Sequence, residues 1–510
     1  MDYKLNEKNI AAAFTCLDTV SEQPVDLELI LPDYCPDIEK ILKCSLTTQI
    51  FSRSLTGGQL VVDGVSIVHI MYIDSIKKNI RCCEQTLPFS SVFNLNEPSE
   101  NYIILIDTKT EYINCRALSP RKLVLHGAFS LYAKVICKRF EKIYEPIEES
   151  QLEIKTEKIT CNNLTTLCQE QFSVSDDISA ENKPPIEAIL NKKITAYVTD
   201  VRLISGKIMI NGDVNLKLLY LSDLEAGEPQ QLDYMLPFSQ VIDCEDVNEN
   251  TDATVSLQVL SSDVRLKSEM LSEATVVSLD VKLIANVLGY NSNEYNIVTD
   301  AYSTKYETEL EFSKPSLLYN VNKINETIME KNSIDLGDTK ISKIIDLYND
   351  NSTVSTVIND DGISVAGKAN VCILALDEEN YPVYFERMID FEHLFQLDES
   401  YNAVVNPKVT IKSMSYRLSD TTDVDLRCEI QISIELQNNN IYRCVSKVFS
   451  PDEKEIKSSV YALTLYYAQK DESLWNIAKR YNTKLCLLTQ ENNLDAEILE
   501  KPQMLLIPSV

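Results

Sequence analysis

The segment that decides the fold reads Ile208-Met209-Ile210-Asn211-Gly212-Asp213-Val214-Asn215-Leu216-Lys217-Leu218. Aliphatic side chains alternate with polar ones along most of it, which is the pattern of a β-strand that buries one face. A glycine inside such a strand indicates a bulge or a sharp bend in a curved sheet. The segment therefore predicts a half-buried strand that bends at Gly212.

The same arrangement occurs three times along the chain. In each copy an isoleucine precedes the strand glycine by the same interval: Ile38 and Gly64, Ile186 and Gly212, Ile341 and Gly367. A third landmark follows each glycine: Leu87-Pro88-Phe89, Leu236-Pro237-Phe238 and the weaker Ile389-Asp390-Phe391. A spacing that is kept three times predicts a tandem repeat of one domain.

The isoleucine of each copy opens a short apolar pattern, which reads Ile38-Glu39-Lys40-Ile41-Leu42 in the first copy. Apolar residues at its first, fourth and fifth positions predict a single helical turn with one buried face. Pro36 precedes this pattern and Pro184-Pro185 precedes the second, where proline suits the start of a helix. Each copy is therefore predicted to be a β-rich, sandwich-like domain with one short helix.

The C-terminal residues follow a different pattern, that of a small βααβ module. Residues 463–468 predict a strand, and Ser473 is a suitable N-cap for a helix that buries one face. Thr483 is predicted to cap a second helix over residues 484–491, and residues 504–507 predict the closing strand. The side chains expected on the buried face of the first helix are Leu474, Ile477, Ala478 and Tyr481.

The chain is thus predicted to be mainly β. Three tandem β-rich domains are expected at residues 1–165, 166–322 and 323–455, followed by the small module at residues 460–510. A length of 510 residues is too great for one hydrophobic core. Because the chain has only 11 glycines and no glycine-rich turn between a strand and a helix, a nucleotide-binding α/β domain is disfavoured.

The composition excludes several classes of function. A formal net charge of −29 repels phosphate backbones and anionic lipids, so nucleic-acid binding and direct membrane insertion are not expected. No apolar run is long enough for a membrane span and the acidic N-terminus does not resemble a signal peptide, which predicts an intracellular protein. The 14 cysteines are therefore expected to be reduced and mostly buried. A basic protein is the partner that this charge favours, and the alternative is that the charge only keeps the surface of a multidomain protein soluble.

No group of residues predicts catalysis, a cofactor or a metal site. The three histidines, His69, His126 and His393, are far apart in the sequence. No Ser-His-Asp set, Cys-His set or metal-ligand spacing accompanies them. The chain is therefore predicted not to be an enzyme, and to have no catalytic residues, no cofactor and no metal.

Two segments resemble known domain families. Leu31-Pro32-Asp33-Tyr34-Cys35-Pro36-Asp37-Ile38 is similar to the opening of the SPOCS domain, which is named for sporulation proteins of the coat. The second and third copies lack this string, so their assignment depends on the internal repeat. The C-terminal module resembles a LysM domain, and the matching residues are Leu474, Trp475, Ile477, Ala478, Tyr481, Leu488, Asn492, Leu505, Ile507 and Pro508.

LysM domains bind glycans that contain N-acetylglucosamine, using the loop after the first strand and the loop before the last. Here Asp471-Glu472-Ser473 replaces the family's Gly-Asp-Thr, and Pro502 replaces a glycine. Both replacements hinder the close approach of a sugar to the backbone. Trp475 is either a platform that stacks on a sugar or part of the packing. The residues implied as a binding groove, for protein or for glycan, are Asp471, Glu472, Ser473, Leu474, Trp475, Asn492 and Pro502.

SPOCS units joined to a terminal LysM domain resemble the SipL type of coat morphogenetic proteins in endospore-forming bacteria. This resemblance implies an adaptor that works in the mother-cell cytoplasm at the forespore surface. Its implied partners are the coat scaffold ATPase, stage IV sporulation protein A, bound through the LysM domain, and other coat proteins. The alternative is a peptidoglycan-binding protein of the spore cortex or cell wall. A glycan hydrolase with an accessory LysM domain needs a catalytic domain, which the repeats do not supply.

Overall fold

The computed structural model describes residues 2–95, 101–147, 152–179, 183–225, 227–244, 246–268, 275–359, 361–397, 401, 403–418, 422–451, 455 and 463–508. Within these ranges most of the chain is β-strand, and two helices lie near the C-terminus. The prediction of a mainly β protein is confirmed.

Three successive units of six strands each, here called the first, second and third β-units, make up most of the molecule. A short strand β1 (Asp2–Tyr3) precedes the first β-unit. The first β-unit contains β2 (Asn6–Ile30), β3 (Ile38–Thr56), β4 (Gln59–Asp74), β5 (Ile80–Asn94), β6 (Tyr102–Ser119) and β7 (Lys122–Glu145). The second contains β8 (Leu152–Ser179), β9 (Ala188–Ile204), β10 (Lys207–Leu221), β11 (Pro229–Asp243), β12 (Asp252–Ser268) and β13 (Thr275–Ser303).

The remaining elements follow in the same order. After β14 (Glu309–Ser313), the third β-unit contains β15 (Ser316–Asp335), β16 (Ile341–Asn359), β17 (Gly362–Asp377), β18 (Pro382–Gln396), β19 (Ala403–Leu418) and β20 (Asp423–Ile441). Strand β21 (Cys444–Phe449) pairs with both β1 and β14. The C-terminal module contains β22 (Leu463–Ala468), α1 (Leu474–Arg480), α2 (Leu485–Asn492) and β23 (Gln503–Pro508).

Each β-unit is a sandwich of two antiparallel three-stranded sheets. One sheet is a meander of consecutive strands: β3-β4-β5, β9-β10-β11 and β16-β17-β18. The other places the last strand of the unit between the first and the fifth: β2-β7-β6, β8-β13-β12 and β15-β20-β19. The predicted domain limits at 165/166 and 322/323 fall inside β8 and β15. We propose that the limits lie between β7 and β8 and between β14 and β15.

The repeated glycine and phenylalanine are direct partners on neighbouring strands of the meander. Gly64 pairs with Phe89, Gly212 with Phe238 and Gly367 with Phe391. In each pair the aromatic ring lies against the glycine. For example, a Cβ atom added to Gly212 would be 2.5 Å from Cζ of Phe238. Two landmarks on neighbouring strands of the meander therefore form one packing feature, which explains why their spacing is kept.

The ring of this phenylalanine also joins the two sheets in the first two β-units. Phe89 packs edge-on against Phe129 of β7, with 5.0 Å between the ring centroids. Phe238 packs against Phe172 of β8 at 5.6 Å. Such aromatic pairs contribute about 0.5–1.5 kcal/mol beyond the area they bury. The glycine thus makes room for a ring that holds the sandwich together.

The predicted helical turn at the start of each repeat is wrong. Ile38 opens strand β3, and the register against β4 shifts between Ile38 and Lys40 and again between Ile41 and Lys43. The third β-unit has the same two shifts, after Ile341 and after Ile344. Each bulge adds one residue to the strand, so two side chains that are three positions apart point to the same face of the sheet. A bulged strand therefore imitates the spacing of a helix.

The three meander sheets contact one another in a closed ring. Strand β5 lies against β9, β11 against β16, and β18 against β3. An apolar cluster with members from all three units occupies the junction, and it consists of Met71, Ile80, Leu190, Leu219, Leu221 and Leu374. Ion pairs also join neighbouring units, such as Lys192 with Glu84 at 3.3 Å. Each unit is thus packed against both of the others.

The expectation that all cysteines are reduced is wrong for one pair. Cys16 of β2 and Cys137 of β7 are joined by a disulfide bond within the first β-unit. The other twelve cysteines are free thiols.

Candidate functional site

The C-terminal module forms the predicted βααβ fold, in which two helices pack on one face of the antiparallel β22-β23 sheet. Its core contains Leu474, Ile477 and Ala478 of α1, Leu488 of α2, and Leu505 and Ile507 of β23. The predicted strand and first helix are confirmed, although Ser473 occupies the N-cap without a capping bond from its side chain. Apolar burial, more than capping, therefore fixes the position of α1.

Two local predictions for the module are wrong. Thr483 is not a cap, because α2 begins at Leu485 with Lys484 as its N-cap, and the hydroxyl of Thr483 is buried without a hydrogen bond among the described residues. Tyr481 was predicted to be buried but is exposed, since it ends α1 at the edge of the module. Its ring lies 5.5 Å from that of Tyr466, which covers part of one side.

The two loops of the predicted groove are bonded to each other through the backbone. Asp471 N–H donates to the carbonyl of Leu499 at 2.8 Å, and Leu499 N–H donates to the carbonyl of Glu472 at 3.0 Å. Asp471 has a φ of +65°, the left-handed conformation that favours glycine. These backbone N–H and carbonyl groups, which a bound sugar would need, therefore already have hydrogen-bond partners.

The predicted groove residue Glu472 closes its own loop. Its carboxylate accepts hydrogen bonds from the backbone N–H of Gln469 and from the hydroxyl of Tyr466, both at 2.8 Å. These bonds, the backbone one first, lower the pKa of the Glu472 carboxyl. Asp471 remains exposed beside it and is the free carboxylate of the pair.

Two more of the predicted residues differ in their exposure. The Asn492 side chain ties α2 to β23, because it donates to the carbonyl of Leu506 at 2.7 Å and accepts from the N–H of Leu506 at 2.7 Å. Pro502 is exposed, two residues before Met504. Of the predicted set, Asp471 and Pro502 are therefore the residues with open surface, while Leu474 lies in the core.

Trp475 joins the module to the second β-unit. Its indole is 7% exposed, and Nε1 donates to the carboxylate of Asp300 at 2.8 Å. The ring packs edge-on against Tyr302 with 5.0 Å between centroids, and the Tyr302 hydroxyl donates to the carbonyl of Thr483 at 2.7 Å. Lys479 donates to the same Asp300 carboxylate at 2.5 Å. The module is thus seated on the end of β13.

The contact between the C-terminal module and strand β13 could not be predicted from the sequence. A register shift between Val298 and Asp300 places a bulge immediately before the aspartate. Bulges often re-aim a side chain at a site. Trp475 and Asp300 are 175 residues apart in the sequence, and nothing distinguishes this aspartate from the many other acidic residues. Only the folded chain brings them together.

We expect Asp300→Ala to weaken the contact between the C-terminal module and the second β-unit. It leaves the indole N–H and the Lys479 ammonium without their acceptor, at a cost of about 1–3 kcal/mol. Trp475 is the single tryptophan of the chain, so its emission should shift to the red and acrylamide should quench it more strongly. Asp280→Ala, at an exposed position of the same strand, is the matched control. Equal quenching in both variants would contradict the seat.

The outer face of the β22-β23 sheet is apolar and open. Leu465 pairs with Leu506, and Tyr467 pairs with Met504, so the four side chains lie on one face. Leu465 is 63% exposed and Leu506 37%, while Tyr467 is 58% exposed and Met504 61%. We call these four residues the apolar face. The apolar face was not among the sequence predictions. Both β22 and β23 carry apolar residues at consecutive positions, whereas a sheet with one covered face needs them only at alternate positions.

The described residues carry neither a membrane helix nor a metal cluster. Neither helix in this part of the chain is long and apolar enough to span a membrane. Likewise, no three His, Cys, Asp or Glu side chains within the described ranges are placed to share a metal ion.

Comparison with protein families identifies both domain types. Residues 37–118 and 185–267 match the SipL family model of the SPOCS domain, and residues 466–508 match the LysM domain. Comparison with curated proteins and with solved structures finds no match. The chain therefore carries two SPOCS domains and a LysM domain. The matched segments do not include the third predicted copy, whose assignment stays a prediction. The third β-unit has the same strand order as the first two.

Proposed function

We propose that this chain is a non-enzymatic adaptor of endospore coat assembly, and that its LysM domain docks on the coat scaffold ATPase, stage IV sporulation protein A. SPOCS and LysM domains are binding modules, and the SipL description links the first two β-units to the spore coat. The proposed place of action is the mother-cell cytoplasm at the forespore surface.

The apolar face is the observation that supports docking on a protein. A LysM domain that binds glycan uses its two loops, and here those loops are bonded to each other. The open surface instead presents Leu465, Tyr467 and Met504, and aromatic and methionine side chains are enriched at protein interfaces. Exposed apolar surface of this kind marks an interaction site.

The predicted groove residues take two roles in this proposal. Asp471 and Pro502 lie at the end of the sheet where Ala468 pairs with Gln503, next to Tyr467 and Met504. There Asp471 steers a basic partner towards the apolar face. Trp475 and its bond to Asp300 hold the LysM domain in a fixed orientation on the second β-unit. The three β-units then act as a rigid base for the docking surface.

The test compares variants of the full chain in binding to the purified scaffold ATPase. Leu465→Ser with Tyr467→Ser removes half of the apolar face without touching the core, and is expected to weaken binding at least about tenfold. Phe51→Ser, at an exposed apolar position of the first β-unit, is the control and should bind as the parent does. Trp475 fluorescence verifies that the LysM domain stays seated.

Two results would overturn the proposal. One is unchanged binding of the scaffold ATPase by the Leu465→Ser, Tyr467→Ser variant. The other is sedimentation of the parent chain with spore-cortex peptidoglycan together with no binding to the ATPase. The second result would instead assign the LysM domain to glycan.

A further inference from the structure

Two pairs of free cysteines face each other inside the sandwiches. In the second β-unit the Sγ atoms of Cys168 and Cys244 are 3.3 Å apart. In the first β-unit the thiols of Cys44 and Cys115 lie close enough for each to shift the pKa of the other. Each pair is far apart in the sequence, so the fold alone creates it.

Both pairs bridge the two sheets of their unit. Cys44 lies in β3 of the meander and Cys115 in β6 of the second sheet. Cys168 lies in β8 of the second sheet, and Cys244 directly follows β11 of the meander. A bond between the sulfur atoms of either pair would therefore tie one sheet covalently to the other.

The contact within each pair favours ionisation of one of its two thiols. The hydrogen bond from Cys168 lowers the pKa of the Cys244 thiol, and the bond from Cys44 lowers that of Cys115. The same contacts raise the pKa of the other thiol of each pair, Cys168 and Cys44. The thiolate is the nucleophile in cysteine oxidation, so we assign the attack to Cys244 and to Cys115.

We propose that each pair is a site of oxidation by peroxide, which converts the two thiols into a disulfide that locks the sandwich. The thiolate of Cys244 attacks one oxygen of hydrogen peroxide, breaks the O–O bond and becomes a sulfenic acid, while the other oxygen leaves as water. The sulfur of Cys168 then attacks the sulfenic sulfur, loses its proton and expels a second water. Two thiols and one peroxide thus give one disulfide and two waters. Cys115 and Cys44 follow the same steps.

The lock stabilises the sandwich by restricting the unfolded chain. A disulfide removes more conformational freedom from the unfolded state when it closes a longer loop. The loops closed here run from residue 44 to 115 and from 168 to 244, and each spans most of the strands of its unit. This inference does not rest on the docking partner, since it concerns the β-units alone.

The test oxidises the full chain with hydrogen peroxide, alkylates it under denaturing conditions and maps the cysteines by mass spectrometry. Before oxidation, Cys16 and Cys137 are expected to be the cysteines that resist alkylation. After oxidation, cross-linked peptides should join Cys168 to Cys244 and Cys44 to Cys115. Cys428, which is buried in the third β-unit, should still be alkylated and serves as the control.

Unfolding then checks the lock. The urea midpoint of the oxidised chain should rise, and a reductant should reverse the rise. Cys168→Ser should lose the 168–244 cross-link and its part of the rise, while the 44–115 cross-link still forms. The proposal is overturned if the paired thiols stay free or form sulfinic acids, or if cross-links join cysteines at random.

Discussion

Replacing Gly212 with valine is expected to destabilise the second β-unit strongly. The new Cβ would be 2.5 Å from Cζ of Phe238 and 2.5 Å from the carbonyl oxygen of Tyr197. The ring is held in the core against Phe172, and the carbonyl belongs to the neighbouring strand β9, so neither can move aside cheaply. Overpacking of this kind costs about 1–3 kcal/mol, and a clash with backbone adds to it.

The strand propensity of valine favours the substitution, but its effect on stability is smaller than that of the clash. Valine is preferred over glycine in strands by at most about 1 kcal/mol, so the clash decides the outcome. Equilibrium unfolding in urea, followed by circular dichroism, measures the loss. Gly337→Ala is the control: its φ is +72° but nothing lies near its Cβ, so only modest backbone strain of about 1–2 kcal/mol is expected. A Gly212→Val chain as stable as the parent would remove the packing explanation of the repeat.

The repeat was predictable because its landmarks are local. Each glycine lies in a strand with clear alternation, and the phenylalanine partner follows along the same meander. The starts of the first and third repeats are wrongly predicted as helical because a strand with two bulges has the period of a helix over five residues. Sequence periodicity cannot separate the two cases when the segment is this short.

The contacts between units and domains were not predictable, because each depends on residues far apart in the chain. Trp475 was recognised as either a platform or part of the packing, but nothing marked Asp300 as its acceptor. The apolar face depends on the pairing of Tyr467 with Met504, which only the closing of the LysM sheet establishes. The ring of three units is likewise a product of tertiary contact.

We expect Lys43→Met to destabilise that ring by about 2 kcal/mol. Lys43 of β3 is 12% exposed in its side chain and reaches into the third β-unit, where it pairs with Asp350 at 3.1 Å and Glu386 at 2.5 Å. Its ammonium also lies 5.8 Å from the ring centroid of Tyr384. Removing one partner of a buried pair costs about 3–5 kcal/mol, and the two carboxylates are 37% and 40% exposed, which reduces that figure.

The pH dependence separates this ion pair from simple packing. Burial alone would raise the pKa of Glu386, but the hydrogen bond and charge of Lys43 outweigh it and hold the pKa below 4.5. A carboxylate with a lowered pKa stabilises the fold at neutral pH, and this contribution is lost as the pH falls through the folded pKa. The difference between Lys43→Met and the parent should therefore shrink below pH 4.5.

A surface pair provides the control for Lys43→Met. Lys158 and Glu294 are 2.8 Å apart with both side chains 62% exposed, so Lys158→Met should leave the free energy of unfolding nearly unchanged. Adding Glu386→Gln to Lys43→Met should recover part of the loss, because it removes one of the two carboxylates left without a cation. If Lys43→Met and Lys158→Met unfold at the same urea concentration at neutral pH, the junction is held by the apolar cluster around Leu219 and not by charge.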